Sequence, residues 1–307
     1  MFMEIALDIE GQNGLNWDLW KQLARLAEDL GFAALYRSDH FASNRRPPDH
    51  DALELWVSLT WLACNTHRIQ FGPLVTPMSF RHPAITARMA ANVDDLSGGR
   101  LQLGLGAGWD EREHAVWGFD LGDLKTRFDR FEEGLELIYT LFHSEDKVTY
   151  NGKYFKTNEA QLLPRPARKG GPHILVGGRG GKRTTMLAAR FADEWNTYRV
   201  PVDSIRLLMQ ELDSAMKSIH RDPASIRRSV MLNIIMGKTD RDVQMKLGEK
   251  TLTEWRQVGV IGTPNQVADQ LGEYAALGLD RVMLEINNPA DLDLIEQIGV
   301  SVLPQMK

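Results

Sequence analysis

The chain has 307 residues, 43% of them hydrophobic, which is enough to bury one large core or two smaller ones; its formal net charge is −5. That balance, with no basic block, leaves no electrostatic footprint for nucleic acid, and no run of about eighteen apolar residues is present to cross a membrane. Met1–Glu10 lacks the basic-then-apolar order of a signal peptide, and the lone cysteine, Cys64, lies in the apolar run Leu59–Cys64. These features predict a cytoplasmic protein whose thiol is an inert core residue.

Strand and helix signals then alternate. Met3–Asp8 reads as a strand, and Asn16 as the cap of a helix with apolar face Trp20, Leu23, Ala27 and Leu30, closed by Gly31. Phe32–Tyr36 is a second strand, leading into Arg37-Ser38-Asp39-His40. Asp51 and Glu54 suggest a capping box for a helix reaching about Cys64. Ile69–Thr76 is the third strand, Pro83–Leu96 the third helix before Gly98-Gly99, and Leu101–Ala107 the fourth strand, running into Gly106-Ala107-Gly108-Trp109. Phe128, Phe131, Leu135 and Ile138 mark a long helix by their helical spacing. Val148–Phe155 alternates around Asn151-Gly152, a type I′ hairpin signal, and the proline-rich Leu162–Pro166 leads back to a fifth strand at Ile174–Val176.

That fifth strand breaks into Gly177, Gly178, Arg179, Gly180 and Gly181, then Lys182-Arg183 and a helical pattern. A strand passing through glycines into a basic helix start is an anion cradle. The first N–H groups of the helix have no internal partner, the dipole favours negative charge, and an absent Cβ lets an anion approach the backbone. The alternative is a tight turn with exposed basic residues. Glu194–Thr197, Ser229–Met236 and Arg281–Glu285 complete eight strands, with Thr263–Gln266 a helix start and Gly278 a stop before the last. The pattern predicts an α/β fold, a (β/α)8 TIM barrel forming a single domain over 1–307, with an insertion between strands 4 and 5 spanning about 109–173. A doubly wound open sheet is the alternative.

In such a barrel the active site lies at the C-terminal strand ends. Asp39-His40, Thr76, Gly106–Trp109, the glycine cradle and Asn196 all fall there. His40 reads either as a loop histidine bonded to the backbone or as a functional imidazole beside a carboxylate. No metal-ligand spacing, Walker motif or nucleophile elbow occurs.

The segments RSDHF (37–41), TPMSFRHPAITARMAANVDDLSGGRLQLGLGAGW (76–109) and GGRGGKRTTMLAARFADEWN (177–196) resemble the bacterial luciferase-like superfamily, and within it the branch that uses the deazaflavin coenzyme F420. FMN is the alternative cofactor, because both occupy the same barrel mouth in that superfamily. The resemblance implies that Asp39 and His40 lie against the ring of the cofactor and that Leu74, Val75 and Thr76 form a bulge often holding a non-proline cis peptide. It places Gly106, Ala107 and Gly108 beside the ring and ribityl chain, and Gly177 to Arg183 at the phosphate. Glucose-6-phosphate dehydrogenases of the branch carry a glutamate where this chain has Trp109, so a sugar-phosphate substrate is not expected.

The implied activity is hydride transfer between deazaflavin and a small organic substrate, with His40 the candidate proton-transfer group, Glu111 the runner-up and Asp39 orienting His40 or touching the cofactor. An FMN-dependent monooxygenase and a non-catalytic flavin-binding protein are the competing readings. Leu55, Trp56, Leu59, Trp61 and Leu62 exceed one core-facing stripe and suggest a homodimer, a broad core contact being the alternative. Substrate specificity is assigned to Ala42–His50, Trp109–Leu121 and the hairpin.

Overall fold

A computed structural model describes residues 3–43, 50–248 and 251–306. Eight parallel barrel strands follow one another as the sequence pattern requires: β1 (Glu4–Ile9), β2 (Ala34–Arg37), a third strand in two pieces, β3 (Gln70–Pro73) and β4 (Thr76–Pro77), then β5 (Gln102–Gly106). After the insertion come β8 (His173–Gly177), β9 (Glu194–Tyr198), β10 (Arg227–Met236) and β12 (Arg281–Ile286). The hydrogen-bonded order β3-β2-β1-β12-β10-β9-β8-β5-β4 closes on itself, because β4 continues β3 and a parallel bridge joins Phe71 to Leu101. The fold is the (β/α)8 barrel, not the open sheet.

Local chemistry sets the helices. Asn16 Oδ1 accepts from Leu19 N at the start of α1 (Trp17–Leu30), and Gly31 ends it at φ +88°. The helix α2 (Leu55–Asn65) begins later than a cap at Asp51 would place it: Glu54 is the capping residue and accepts from Val57 N, so the expected capping box does not form. Cys64 is exposed, not a core thiol, because the apolar α2 turns that position outward. Leu55, Trp56, Leu59 and Leu62 are buried within the protein, and Trp61 packs partly against the same core. The third helix, α3 (Pro83–Ser97), has Pro83 in its first turn and Gly98 at its end.

Between β5 and β8 lie α4 (Glu111–Trp117), α5 (Leu124–His143) and an antiparallel pair, β6 (Val148–Asn151) with β7 (Lys156–Ala160). The hairpin is present, but its turn is not the two-residue type I′ form. Asn151 pairs with Lys156, and the loop between them is organised by Glu133 of α5, whose carboxylate accepts from the backbone N–H groups of Lys153, Tyr154 and Phe155.

A further short strand, β11 (Gly259–Gly262), pairs with the end of β10, which outlasts its pairing with β12. A Cβ at Gly259 would come 2.2 Å from the Asn233 carbonyl, so only glycine lets the two backbones approach. On the other flank of the barrel stand α6 (Lys182–Phe191), α7 (Val202–Ser218), the short α8 (Asp240–Lys246) and α9 (Leu252–Arg256) and, after β11, α10 (Pro264–Ala276) with its Thr263–Gln266 capping box.

The main core lies between the strands and this helical shell, while a small second cluster fills the barrel interior, among it Ala6, Ala34, Tyr36, Leu175, Met231 and Met283. Below that cluster, at the N-terminal strand ends, the buried Arg281 donates to Glu4, Glu194, Tyr36 and Gln70.

Candidate active site

A cleft of about 530 Å³ opens at the C-terminal ends of the strands, with His40, Val75, Ala107, Gly178, Asn196 and Arg199 among its lining residues. Phe128 and Phe131 of α5 form one wall. The volume suits a drug-sized organic ligand in a site walled by apolar groups with a few convergent polar ones.

His40 faces this cleft with its side chain 16% exposed, and its Nδ1 lies 2.7 Å from Glu113 Oε2. Glu113 Oε1 accepts from Phe41 N and Ala42 N, so one carboxylate fixes both the imidazole and the loop that carries it. The start of α4 presents Glu113 inward: Asp110 caps the helix by accepting from Glu113 N at 2.9 Å. Burial lowers the His40 pKa, but the hydrogen bond and charge of Glu113 outweigh it, and the net direction is upward. The Trp109 ring meets His40 edge-on at 5.7 Å between centroids.

Asp39 points elsewhere. Its carboxylate takes Arg81 Nη1 at 2.5 Å and the Thr76 hydroxyl at 3.0 Å, and Arg81 also reaches Glu54 at 2.7 Å. Asp39 and Thr76 are thus buried behind the cleft, and the residue that orients His40 is Glu113. Glu111 stands on the outer side of α4 with its side chain 82% exposed, 3.3 Å from Arg127. Its carboxylate is solvated, not part of the cleft, because the first turn of α4 directs Glu111 and Arg112 outward and Glu113 and His114 inward.

Leu74 and Val75 line the cleft across a cis peptide bond, as the resemblance implies. Three glycines make the socket for Val75: a Cβ at Gly104, Gly106 or Gly177 would come 3.2, 2.6 or 2.9 Å from its methyl groups. Gly177 therefore serves packing before any phosphate. Gly180 and Gly181 do the backbone work at φ +96° and +91°, turning the chain into α6.

Asn16, His82, Asp110 and Asp123 give α1, α3, α4 and α5 side-chain caps, but α6 starts at Gly181 with none, so its first N–H groups remain for an anion. Gly178, Arg179, Gly180 and Thr184 border the cleft there. Lys182 is exposed, and Arg183 swings away to Asp129 at 2.7 Å and over the Phe128 ring, so neither basic side chain lines the cleft. Arg179 is the basic residue of this segment that does, stacked over Tyr198 at 5.3 Å. Asn196 sits on the wall, its amide donating to Ser229 Oγ at 3.0 Å.

The floor was not foreseen. Ala6, Asp8 and Glu10 alternate toward the interior of β1, a period-two signal that extends past the predicted strand end. Glu10 lines the cleft and takes the Gln12 amide. Asp8 is fully buried beside Glu285, its register partner in β12, and Glu285 holds Arg199 through both carboxylate oxygens. The residues that carry this floor lie on three strands distant in sequence, and only the β1 alternation was readable locally.

A closed parallel barrel with a split third strand and an uncapped helix start beside its cleft is an enzyme-type scaffold with the ligand site at the C-terminal strand ends. The chain belongs to the luciferase-like monooxygenase family, which residues 1–255 match. It is 30% identical over 249 residues to an F420-dependent hydroxymycolic acid dehydrogenase of Mycobacterium tuberculosis, covering 80% of this chain and 66% of that one. It is 26% identical over 314 aligned positions to an F420-dependent glucose-6-phosphate dehydrogenase of Intrasporangium calvum, covering 92% of each. Among solved structures, an F420-dependent secondary alcohol dehydrogenase in complex with an F420-acetone adduct superposes with a TM-score of 0.88 at 18% identity over the whole of both chains. A long-chain alkane monooxygenase superposes at 0.83 with 17% identity, covering 100% of this chain and 91% of that one.

Proposed function

We propose that this protein is an F420-dependent oxidoreductase that transfers a hydride between the deazaflavin and a small organic substrate. The observation that carries the reading is the cleft itself: an imidazole held by a buried carboxylate shares it with Val75 and with a helix start left free for phosphate. The F420-dependent relatives support deazaflavin over FMN. Bound there, the cofactor supplies hydride chemistry; the chain holds it and moves the proton. Leu74, Val75, Gly106, Ala107 and Gly108 would flank the ring. The α6 start, with Gly178, Arg179 and Gly180, would hold the phosphate, and Asn196 would close the wall. His40, held by Glu113, is the proton-transfer group.

Trp109 supplies no acid, which disfavours the sugar-phosphate chemistry named for one relative. The chain acts as one domain over 1–307, with 109–173 as the substrate-side insertion; residues 44–49 of the Ala42–His50 specificity segment lie outside the described residues. A cytoplasmic homodimer completes the reading. Among the described residues no helix is long and apolar enough to cross a membrane, and Val57, Ile85 and Leu96 are exposed on α2 and α3, where a second copy would cover them. Light scattering at micromolar concentration tests the dimer.

Fluorescence titration of the cofactor-free protein with F420 and with FMN tests the cofactor. F420 should bind at least about tenfold tighter, a difference of roughly 1.4 kcal/mol. A preference for FMN would replace this reading with the flavin monooxygenase one.

A further inference from the structure

The cleft floor holds three carboxyl groups and one guanidinium. Asp8 and Glu285 are register partners on β1 and β12, both turned into the barrel, and Glu10 follows Asp8 on the same side of β1 at the cleft surface. Arg199, just after β9, is committed to Glu285, with Nε to Oε2 at 2.8 Å and a second bond to Oε1. His40, at the end of β2, is committed to Glu113. Asp8 is fully buried, and neither of its oxygens has a hydrogen-bond partner among the described residues. Burial without a hydrogen-bond partner disfavours the charged form, and a polar group left unpaired in the interior calls for another role.

We propose that Glu10, backed by Asp8 and Glu285, is a second proton-transfer group of the cleft, working beside His40. The inference rests on the hydride-transfer reading. Reduction of an acceptor C=O or C=N bond adds one hydride to carbon and one proton to the heteroatom. Bound in the cleft, the reduced deazaflavin would supply that hydride, and its oxidation would leave one proton for the chain to take up. The proton leaves from one atom and arrives at another, so two groups serve it. His40 gives its proton to the acceptor heteroatom, and the Asp8–Glu10 pair takes up the one released. Exchange with solvent then returns each group to its starting state, and oxidation of a substrate runs the same transfers in reverse.

The surroundings fit such a pair. Burial first, then the charges of Glu10 and Glu285, raise Asp8 well above the usual carboxylate range, against Arg199 and Arg37. Burial and then Glu285 raise Glu10, against His40, the Gln12 amide and Arg199. Two neighbouring carboxyls in a dry site share a proton instead of both ionising, which leaves one place to fill near neutral pH.

Infrared spectroscopy of the whole protein, with its glutamates carrying carboxyl-13C, reads this without a substrate. A protonated glutamate carbonyl band should persist toward neutral pH in the wild type and be absent from E10Q. It should move to lower pH in E285Q, which removes the neighbouring negative charge, and shift when oxidised F420 is added to saturation. The label on the unmutated protein gives the titration even where a variant folds poorly. A glutamate spectrum already fully ionised well below neutrality overturns the proposal, as does a Glu10 band indifferent to bound cofactor. Failure of F420 to bind, with FMN binding in its place, overturns the cofactor reading instead, and the band is then read with FMN bound.

Discussion

The two ends of the barrel are built from the same residue types and behave oppositely. At the N-terminal end Arg281 is wholly buried, yet it donates to Glu4, Glu194, Tyr36 and Gln70, so most of the charge there is answered. At the C-terminal end Asp8 has no hydrogen-bond partner among the described residues, Glu10 faces an open cleft, and Arg199 is bonded to Glu285. One end has spent its hydrogen-bonding capacity on itself; the other keeps capacity for a ligand. This is the division between stability and catalysis expected of the fold, here visible in individual atoms.

The largest expected effect is at the open end. His40→Asn keeps the approximate shape and one donor but cannot titrate near neutrality, and single-turnover hydride transfer should fall about 10²–10⁴-fold with cofactor affinity little changed. Weakened binding with an intact rate would make His40 a cofactor ligand only. At the closed end, Arg281→Met strands the carboxylates of Glu4 and Glu194. It should cost about 3–5 kcal/mol in denaturant unfolding while the folded fraction transfers hydride at the parental rate. A parallel loss of rate would mean that the two ends are not separable.

The third prediction sharpens the contrast by pH. A carboxyl raised in the folded state opposes folding once pH exceeds its unfolded value, about 3.9 for an aspartate, and does so increasingly until pH passes the folded value. Asp8 is such a group. Asp8→Asn should therefore melt above the wild type, with the gap opening as pH rises from about 4 toward neutrality. The gain should be ~2–4 °C for each kcal/mol recovered. A gap that closes over that range would reverse the sign and refute the account. The smallest effect is expected outside both ends: Glu111→Gln alters a solvated carboxylate, and stability should stay within about 0.5 kcal/mol with turnover unchanged. A slower variant would return Glu111 to the chemistry.

What the sequence made legible was local. Asn16 and Gly31 bound α1, Pro83 opens α3, and the glycines after Val176 announce the start of α6, because caps and positive-φ turns depend on neighbouring residues. Glu113 was not legible: it meets His40 from 73 positions along the chain, and only the turn of α4 decides that it points inward while Glu111 does not. The early helix start at Asp51 and the I′ turn failed for a related reason. Arg81 holds Glu54 and Glu133 holds the hairpin loop, so partners from other elements settled what local patterns left open. The exposure of Cys64 belongs to the same class, since an apolar run does not say which of its sides the core will cover.

The loop beyond Asn151 is fastened by a single carboxylate on α5, and the same helix carries Phe128 and Phe131 into the cleft wall. Glu133 is thus a tether between surface and interior. The two-stranded ribbon braces α5 from outside, and the aromatic wall takes its position partly from residues that never approach a ligand. Lineages that lengthen or trim that ribbon would reshape the substrate chamber from behind, leaving the strand ends and their chemistry untouched.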